Sequence, residues 1–342
     1  MLRIDPWLDG EVYPAYKIAA LVFALSNEGV DPTAALEGTG LTPEQLQSSE
    51  TRVSNRQTRQ TLLNALQLSS TTTCGLRAGE RMRVTSYGMY GYALISSRSH
   101  QEALQCALKY HRVMGPVAEM TYAQEGDQAI FIYTPLFTHD PSDDLYRLSI
   151  EFQFSSLQTL NRDLHGPSFK FSDVRLKFSA PKNAHEYKTF FDCDVLFDQP
   201  QNELRFDLRC MEDLMQYADP ITKAMAMETC EKGLAVAEKS GGIAGEVYRI
   251  LLKHPGRFPN IEAVAEAMKT NARILRRQLS DENSCFRNIL TDARMHLAVE
   301  YLKNTEMTNE EIATRLGYSE AANFRHALIR WGQHSPSHYR KQ

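Results

Sequence analysis

The chain lacks the marks of several protein classes. No stretch of its 342 residues approaches the ~18 consecutive apolar residues of a membrane span. Met1 to Gly10 mixes Arg3, Asp5, Pro6, Asp9 and Gly10 and has no signal-peptide core. Both features predict a cytoplasmic protein with no membrane partner. The six cysteines are Cys74, Cys106, Cys193, Cys210, Cys230 and Cys285. None forms a C-x-x-C pair, and no Cys/His set has zinc-ligand spacing, so neither a metal site nor a disulfide framework is expected. They read as reduced, mostly buried thiols. There is no P-loop, G-x-S-x-G, H-E-x-x-H or dinucleotide fingerprint. No cofactor is called for, and no nucleophile, acid/base pair or metal set is legible, so an enzyme is not expected.

What is present suits two globular domains. The length exceeds one typical domain. Hydrophobic residues make up 42% and charged residues 23%, ordinary for a folded soluble protein. The net charge of −4 conceals an asymmetry. Residues 241–342 carry 15 Lys and Arg against 11 Asp and Glu, a net of +4, which leaves −8 on the rest. A basic C-terminal module on an acidic body fits a nucleic-acid contact confined to one end, although chance surface variation gives the same figure.

The body reads as α+β. Ala15 to Leu25 is an apolar helix, and Asp31-Pro32 opens another. Thr42 with Gln45, Ser54 with Gln57 and Ser99 with Glu102 match capping boxes. The helix after Ser99 ends before Gly115-Pro116. Val117 to Tyr122 and Ala129 to Thr134 flank a hairpin signal at Gln124 to Asp127. Asp140-Pro141-Ser142 is expected to cap a long helix that stops at Gly166-Pro167. Val174 to Phe178 and Leu204 to Leu208 alternate with period two, as half-buried strands do. Asp219-Pro220 opens a helix to about Lys239. Ser240-Gly241-Gly242 is the expected linker. The division is therefore a regulatory α+β domain over residues 1–240 and an all-helical domain over residues 243–342.

The helical part carries the functional signal. Ile261, Val264, Ala265 and Met268 form one apolar helical face, Lys269-Thr270-Asn271 a polar turn, and Arg273 to Leu279 a second helix. Leu275 and Leu279 point to a core, while Arg273, Arg276 and Arg277 at i, i+3 and i+4 share an exposed face. Helix, tight turn and basic second helix make a helix-turn-helix pattern over about 261–280. Arginine suits such a face because its planar fork matches guanine O6 and N7, or a phosphate. A solvated basic face on a structural helix has the same spacing.

The pattern recurs over about 309–331. Thr308 and Glu311 form a capping box, Ile312, Ala313 and Leu316 an apolar face, and Gly317-Tyr318-Ser319 a turn. In the second helix, Glu320 to Trp331, Phe324, Ala327, Leu328 and Trp331 face inward, leaving Asn323, Arg325 and His326 near the exposed side. Ser335-Pro336 opens a final short helix. Between the units, Cys285 to Lys303 reads as one helix of about 28 Å. Adjacent major-groove faces on one side of DNA lie ~34 Å apart, so a helix of this length could hold two recognition helices in adjacent segments.

These residues carry a specific resemblance. The run from Glu311 to Glu320, Asn323-Phe324, and the stretch from Arg330 to Arg340 resemble the signature of AraC/XylS-type regulators. Val264-Ala265, Arg273, Leu275, Arg277, Leu279 and Arg294 fit the first unit of that family, and the match spans about 95 residues. Tyr87 to Ala93 before Ser99, with Phe190 to Phe206, is similar to the arabinose-binding-type effector domain of the branch that includes ornithine-utilisation and quorum-signalling regulators. The resemblance implies a ligand-responsive transcription activator that binds double-stranded DNA, a small-molecule effector and RNA polymerase, and that pairs as a homodimer. It places Arg273, Arg276 and Arg277 on the first recognition helix and Asn323, Arg325 and His326 on the second. The chain departs from the family pattern at Asn283 (usually Gly), Cys285 (Ser), His326 (often Arg) and Leu328 (often Phe). His326 is shorter than Arg and lacks its fixed charge, so base reading falls more to the first unit.

Other clusters carry less. His334 and His338 have i,i+4 spacing but no third ligand nearby, and read as solvated or phosphate-facing. Tyr110-His111-Arg112 fits either an effector pocket or a helix end. Asp192, Asp194 and Asp198 lack the pattern of a calcium loop and read as turn residues. Gly88 and Gly91 point to close backbone packing. Two other functions stay open on the residues alone: a ligand-independent regulator controlled by protein partners, and an enzyme with a DNA-tethering module. A ligand pocket in the body, or turnover by it, separates these.

Overall fold

The computed structural model describes residues 10–340 apart from 139, 213, 240–241, 253, 255–256, 282–283, 306 and 333–334. A few helical side chains, among them Arg112, Trp331 and His338, also lie outside the described set. The chain forms two compact units, one over Glu11–Ala237 and one that includes Glu238–Gln342. Ser240 and Gly241 of the expected linker lie outside the described residues.

The first unit is α+β. Its elements are β1 (Tyr13–Pro14), α1 (Tyr16–Asn27), α2 (Pro32–Ala35), β2 (Arg52–Val53), α3 (Asn55–Leu68), α4 (Cys74–Glu80), α5 (Gly88–Ile95), α6 (His100–Tyr110), β3 (Ala118–Glu125), β4 (Gln128–Pro135), α7 (Asp144–His165), β5 (Asp173–Arg175), α8 (Ala184–Phe191), β6 (Asp194–Leu196), β7 (Asn202–Asp207) and α9 (Pro220–Lys239). β1 and β2 make a small antiparallel pair. The main sheet runs β3-β4-β7-β5-β6, antiparallel except for the parallel β5–β6 edge.

Local chemistry sets many of these ends. Ser54 and Gln57 exchange both bonds of a capping box at the start of α3. Ser99 caps α6 by accepting from the Glu102 backbone, but the Glu102 carboxylate turns to the Arg98 N–H, so the box is only half formed. Thr42 and Gln45 pair as expected, yet they open only a short 3-10 turn over Gln45–Gln47. The cap of α7 is Asp143, whose carboxylate accepts from the Leu145 N–H. Asp140 closes the preceding turn on Ser142. Val174 to Phe178 pairs as strand only through Arg175.

Two apolar clusters fill this unit. One joins α1, α3, α4 and the inner side of α7 through residues such as Leu21, Leu25, Leu62 and Phe152. The other packs the opposite side of α7 onto the sheet through Ile150, Phe154, Phe131, Leu204 and Phe206. The 22-residue α7 is therefore buried on two sides, consistent with its long run of buried positions. The Tyr87–Ala93 run folds mostly as α5, and any side chain at Gly91 would overlap the Val84 carbonyl oxygen.

The second unit is all helical: α10 (Gly242–Leu252), α11 (Ile261–Ala267), α12 (Ala272–Asp281), α13 (Phe286–Asn304), α14 (Asn309–Arg315), α15 (Ala321–Gly332) and α16 (Pro336–Arg340). The 19-residue α13 serves two cores. Its first half contributes Ile289 and Ala293 to a cluster with α10, α11 and α12. Its second half contributes Met295, Ala298 and Leu302 to a cluster with α14 and α15.

Candidate functional site

Each helix-turn-helix is built by the same backbone device. In the first, the N–H groups of Met268, Lys269 and Thr270 donate to the carbonyls of Val264, Glu266 and Ala265 at 3.0, 2.9 and 2.9 Å. In the second, Leu316, Gly317 and Tyr318 donate to Ile312, Thr314 and Ala313 at 2.9, 3.1 and 2.9 Å. These bonds satisfy the last carbonyls of α11 and α14 and turn the chain through a left-handed residue, Lys269 (φ 55) or Gly317 (φ 78). Asn271 then starts α12, its side chain accepting from the Ile274 N–H at 3.0 Å. The second turn is one residue longer, because Glu320 takes the place of Asn271: the Phe324 N–H donates to Glu320 as that of Leu275 does to Asn271.

The recognition helices therefore align with Leu275 on Phe324 and Leu279 on Leu328, all four fully buried. That register fixes the outer faces. In α12, Arg273, Arg276, Arg277 and Ser280 are exposed at i, i+3, i+4 and i+7. In α15 the matching positions are Ala322, Arg325, His326 and Ile329, also exposed. Asn323 is exposed too, but it aligns with Ile274, beside this stripe rather than on it, and its amide donates to Ser319 Oγ at 3.2 Å. All three residues expected on the exposed side of α15, Asn323, Arg325 and His326, are exposed, with Asn323 beside the stripe, and Ser280 extends the stripe of α12.

The electrostatics of the two stripes differ. Arg273 and Arg277 make no hydrogen bond or ion pair among the described residues, whereas Arg276 meets Glu262 of α11 at 3.1 Å. Both side chains of that pair are about 60% exposed, at 60% and 61%, so it holds Arg276 only weakly. Arg325 and His326 are likewise without described partners. Behind the second turn, the Arg294 guanidinium stacks on Phe258 and Tyr318, 5.6 and 5.4 Å from the ring centroids. It braces the turn from the connecting helix and is not on either stripe.

The first unit contains an apolar cavity of about 80 Å³. This is smaller than the ~300 Å³ at the low end of drug-sized pockets, so it suits a compact ligand. Its wall draws on α1, α5, α6, β3, β4 and α7, with Leu94, Leu104, Phe131 and Leu157 among the apolar residues. His111 lies on this wall, Tyr110 is buried outside it, and the Arg112 side chain is not described. Lys17 also reaches the wall. It is 7% exposed, and its ammonium donates to the Gly115 carbonyl at 2.8 Å. Burial lowers its pKa to about 7. His100 on the same wall is held neutral, its pKa pushed down to about 3 by burial and by the adjacent His165. Sequence reading did not single out Lys17, which sits inside the apolar run of α1.

The remaining clusters are structural. Asp192 and Asp198 stand in turns at φ 53 and 56, and Asp194 pairs with Lys188 at 2.8 Å. No group of His, Cys, Asp and Glu among the described residues could hold a metal ion. His334 lies outside the described residues. All six cysteines are free, three of them buried and Cys285 exposed. No described helix is long and apolar enough to cross a membrane.

Comparisons with known proteins converge on one family. Residues 29–214 match the arabinose-binding domain of AraC transcription regulators, and residues 264–342 match a helix-turn-helix domain. An ornithine utilization regulator from Pseudomonas aeruginosa is 32% identical over 97% of each chain. The regulator VqsM of the same organism is 26% identical over 78% of this chain and 83% of its own. The crystal structure of the regulator CdpR, also from Pseudomonas aeruginosa, has a TM-score of 0.49 at 22% identity, covering 96% of this chain and 98% of that one. With its N-terminal match spanning more than half the sequence, the chain belongs to the AraC family of transcription regulators and joins an arabinose-binding-type domain to helix-turn-helix DNA-binding units.

Proposed function

We propose that this regulator activates transcription by placing one recognition helix in each of two successive major-groove segments, in response to a small molecule bound in the cavity of its N-terminal unit. The observation that carries the reading is the repeated turn device, which presents two exposed stripes from one helical unit. Arg273, Arg276 and Arg277 are the proposed sequence readers. Asn323, Arg325 and His326 are the proposed contacts of the second helix and mainly grip phosphates. Bidentate contacts to guanine are worth roughly 1–3 kcal/mol each. Footprinting and affinity titration of Arg273→Ala and Arg277→Ala on a selected site test this assignment. Each variant is expected to lose about fivefold or more in specific affinity; unchanged footprints and affinities would remove these residues from the interface.

Recruitment of RNA polymerase and pairing of two copies belong to the same reading on family grounds, and sedimentation of the full chain with and without DNA tests the pairing. The N-terminal unit is read as a sensor without catalytic activity in the cytoplasm. Turnover of a bound compound by the full chain would overturn that part. The name of the ornithine-related relative makes ornithine the first compound to test as effector.

A further inference from the structure

The cavity has an unbalanced charge. Among its lining residues Lys17 is the cation, and no Asp or Glu accompanies it. The Lys17 ammonium has three donor hydrogens and one recorded acceptor, the Gly115 carbonyl. A buried ammonium without a counter-ion is costly, which is why its proton is held so loosely. A second unused donor stands on the same wall. The Tyr90 side chain is 7% exposed, and its hydroxyl makes no hydrogen bond among the described residues. Both Lys17 and Tyr90 line the cavity, and around them the Tyr16 hydroxyl and Lys17 donate to the adjacent carbonyls of Met114 and Gly115, Tyr16 packs on Tyr87 at 5.9 Å, and Tyr87 packs on Tyr90 at 6.0 Å. The remaining wall is mainly aliphatic and aromatic.

We infer that the cavity takes a compact monocarboxylate, its anionic head paired with the Lys17 ammonium and accepting from the Tyr90 hydroxyl, its apolar body against Leu94, Leu104, Phe131 and Leu157. This rests on the reading of the cavity as the effector site and names the class of effector. A carboxylate supplies the missing counter-charge and accepts more than one hydrogen bond, while an apolar tail matches the wall. A diamino acid would bring two ammonium groups to a lining that offers no carboxylate. That chemistry argues against ornithine itself as the ligand here, even though it is the first compound suggested by the relative's name.

Calorimetric titration of the full chain tests the inference. The probes are hexanoate, benzoate and phenylacetate, each beside its primary amide and the matching amines hexylamine, benzylamine and phenethylamine, with ornithine as a further arm. At least one acid is expected to bind about tenfold or more tightly than its amide, with no binding by the amines or ornithine. Lys17→Met should remove that preference, and Tyr90→Phe should weaken the acid several-fold while leaving the amide unchanged, which keeps the test open if the Lys17 variant misfolds. Ala107→Phe, which fills the cavity, should abolish binding. If amides, amines or ornithine bind equally well and Ala107→Phe blocks them, the cavity remains the effector site and the carboxylate inference falls. If no acid binds at millimolar concentration, or the acid still prefers its site in Lys17→Met, the inference is overturned; binding that survives Ala107→Phe overturns the cavity reading as well.

Discussion

The two helix-turn-helix units share a backbone device and part company in the residues that decorate it. Lys269 and Gly317 hold equivalent left-handed positions, yet only glycine adopts that conformation without a steric cost. α14 begins with a reciprocal capping box, Thr308 with Glu311, while α11 begins with a single cap from Asn260. The second unit is therefore the better built locally. Its outer stripe is the poorer in charge: Ala322, Arg325, His326 and Ile329 face Arg273, Arg276, Arg277 and Ser280 in the alignment set by the buried leucines and Phe324. Folding constrains the buried positions and the turn, and leaves the stripe free to diverge. A well-capped scaffold with a sparse stripe suits holding, and a less ideal scaffold with three arginines suits reading.

The most forceful way to break this comparison is through the cores. Phe324→Ala should destabilise the second unit by about 3–5 kcal/mol and Leu275→Ala the first by about 2–5 kcal/mol. Hydrogen exchange resolved along the chain should show each loss centred on its own unit, since α13 gives its two halves to different clusters. Equal loosening of both units by either change would show that they fold as one. Next come the stripes. Arg276→Ala with Arg277→Ala should cost roughly 1–3 kcal/mol per residue on a specific site. Arg325→Ala with His326→Ala should weaken all sequences alike and flatten the salt dependence by about one unit for the Arg325 charge removed.

Smaller effects sharpen the turns. Gly317→Ala should cost about 1–2 kcal/mol, because a side chain is forced to positive φ and its Cβ would stand 3.3 Å from Arg294 Nη2. Thr308→Ala should cost about 1 kcal/mol by unmaking the capping box. Lys269→Gly should stabilise the first unit by about 0.5–1 kcal/mol, the relieved strain exceeding the added entropy of the unfolded glycine. Denaturant titration measures all three, and a loss of stability in Lys269→Gly would show that the lysine side chain contributes contacts of its own.

Sequence patterning anticipated what is written locally. The apolar spacing at Ile261, Val264 and Ala265 and at Ile312, Ala313 and Leu316 placed α11 and α14, and the box at Ser54 placed α3. It missed α4, whose N-cap Thr73 makes no side-chain bond and whose formation depends on packing against α7. It also gave α7 the wrong cap, because Asp140 and Asp143 both precede the helix and only geometry separates a turn from a cap. The start of α15 was legible: Gly317-Tyr318-Ser319 reads as the turn and Glu320 as the opening of the helix, and the Phe324 N–H donates to the Glu320 carbonyl. The cavity was least legible of all. Its wall is assembled from six elements far apart in sequence, and Lys17 is distinguished from a solvated lysine only by what the fold places over it.

On the proposed reading, α12 reads sequence and α15 mainly holds. Selection of binding sites from randomised duplexes, with the full chain in its original form and as the Arg276→Ala/Arg277→Ala and Arg325→Ala/His326→Ala variants, tests it most directly. The first variant is expected to lose base preference in one groove segment while keeping the other. The second variant is expected to select the original sequence more weakly. Loss of base preference with the second variant, or an unchanged consensus with the first, would contradict it.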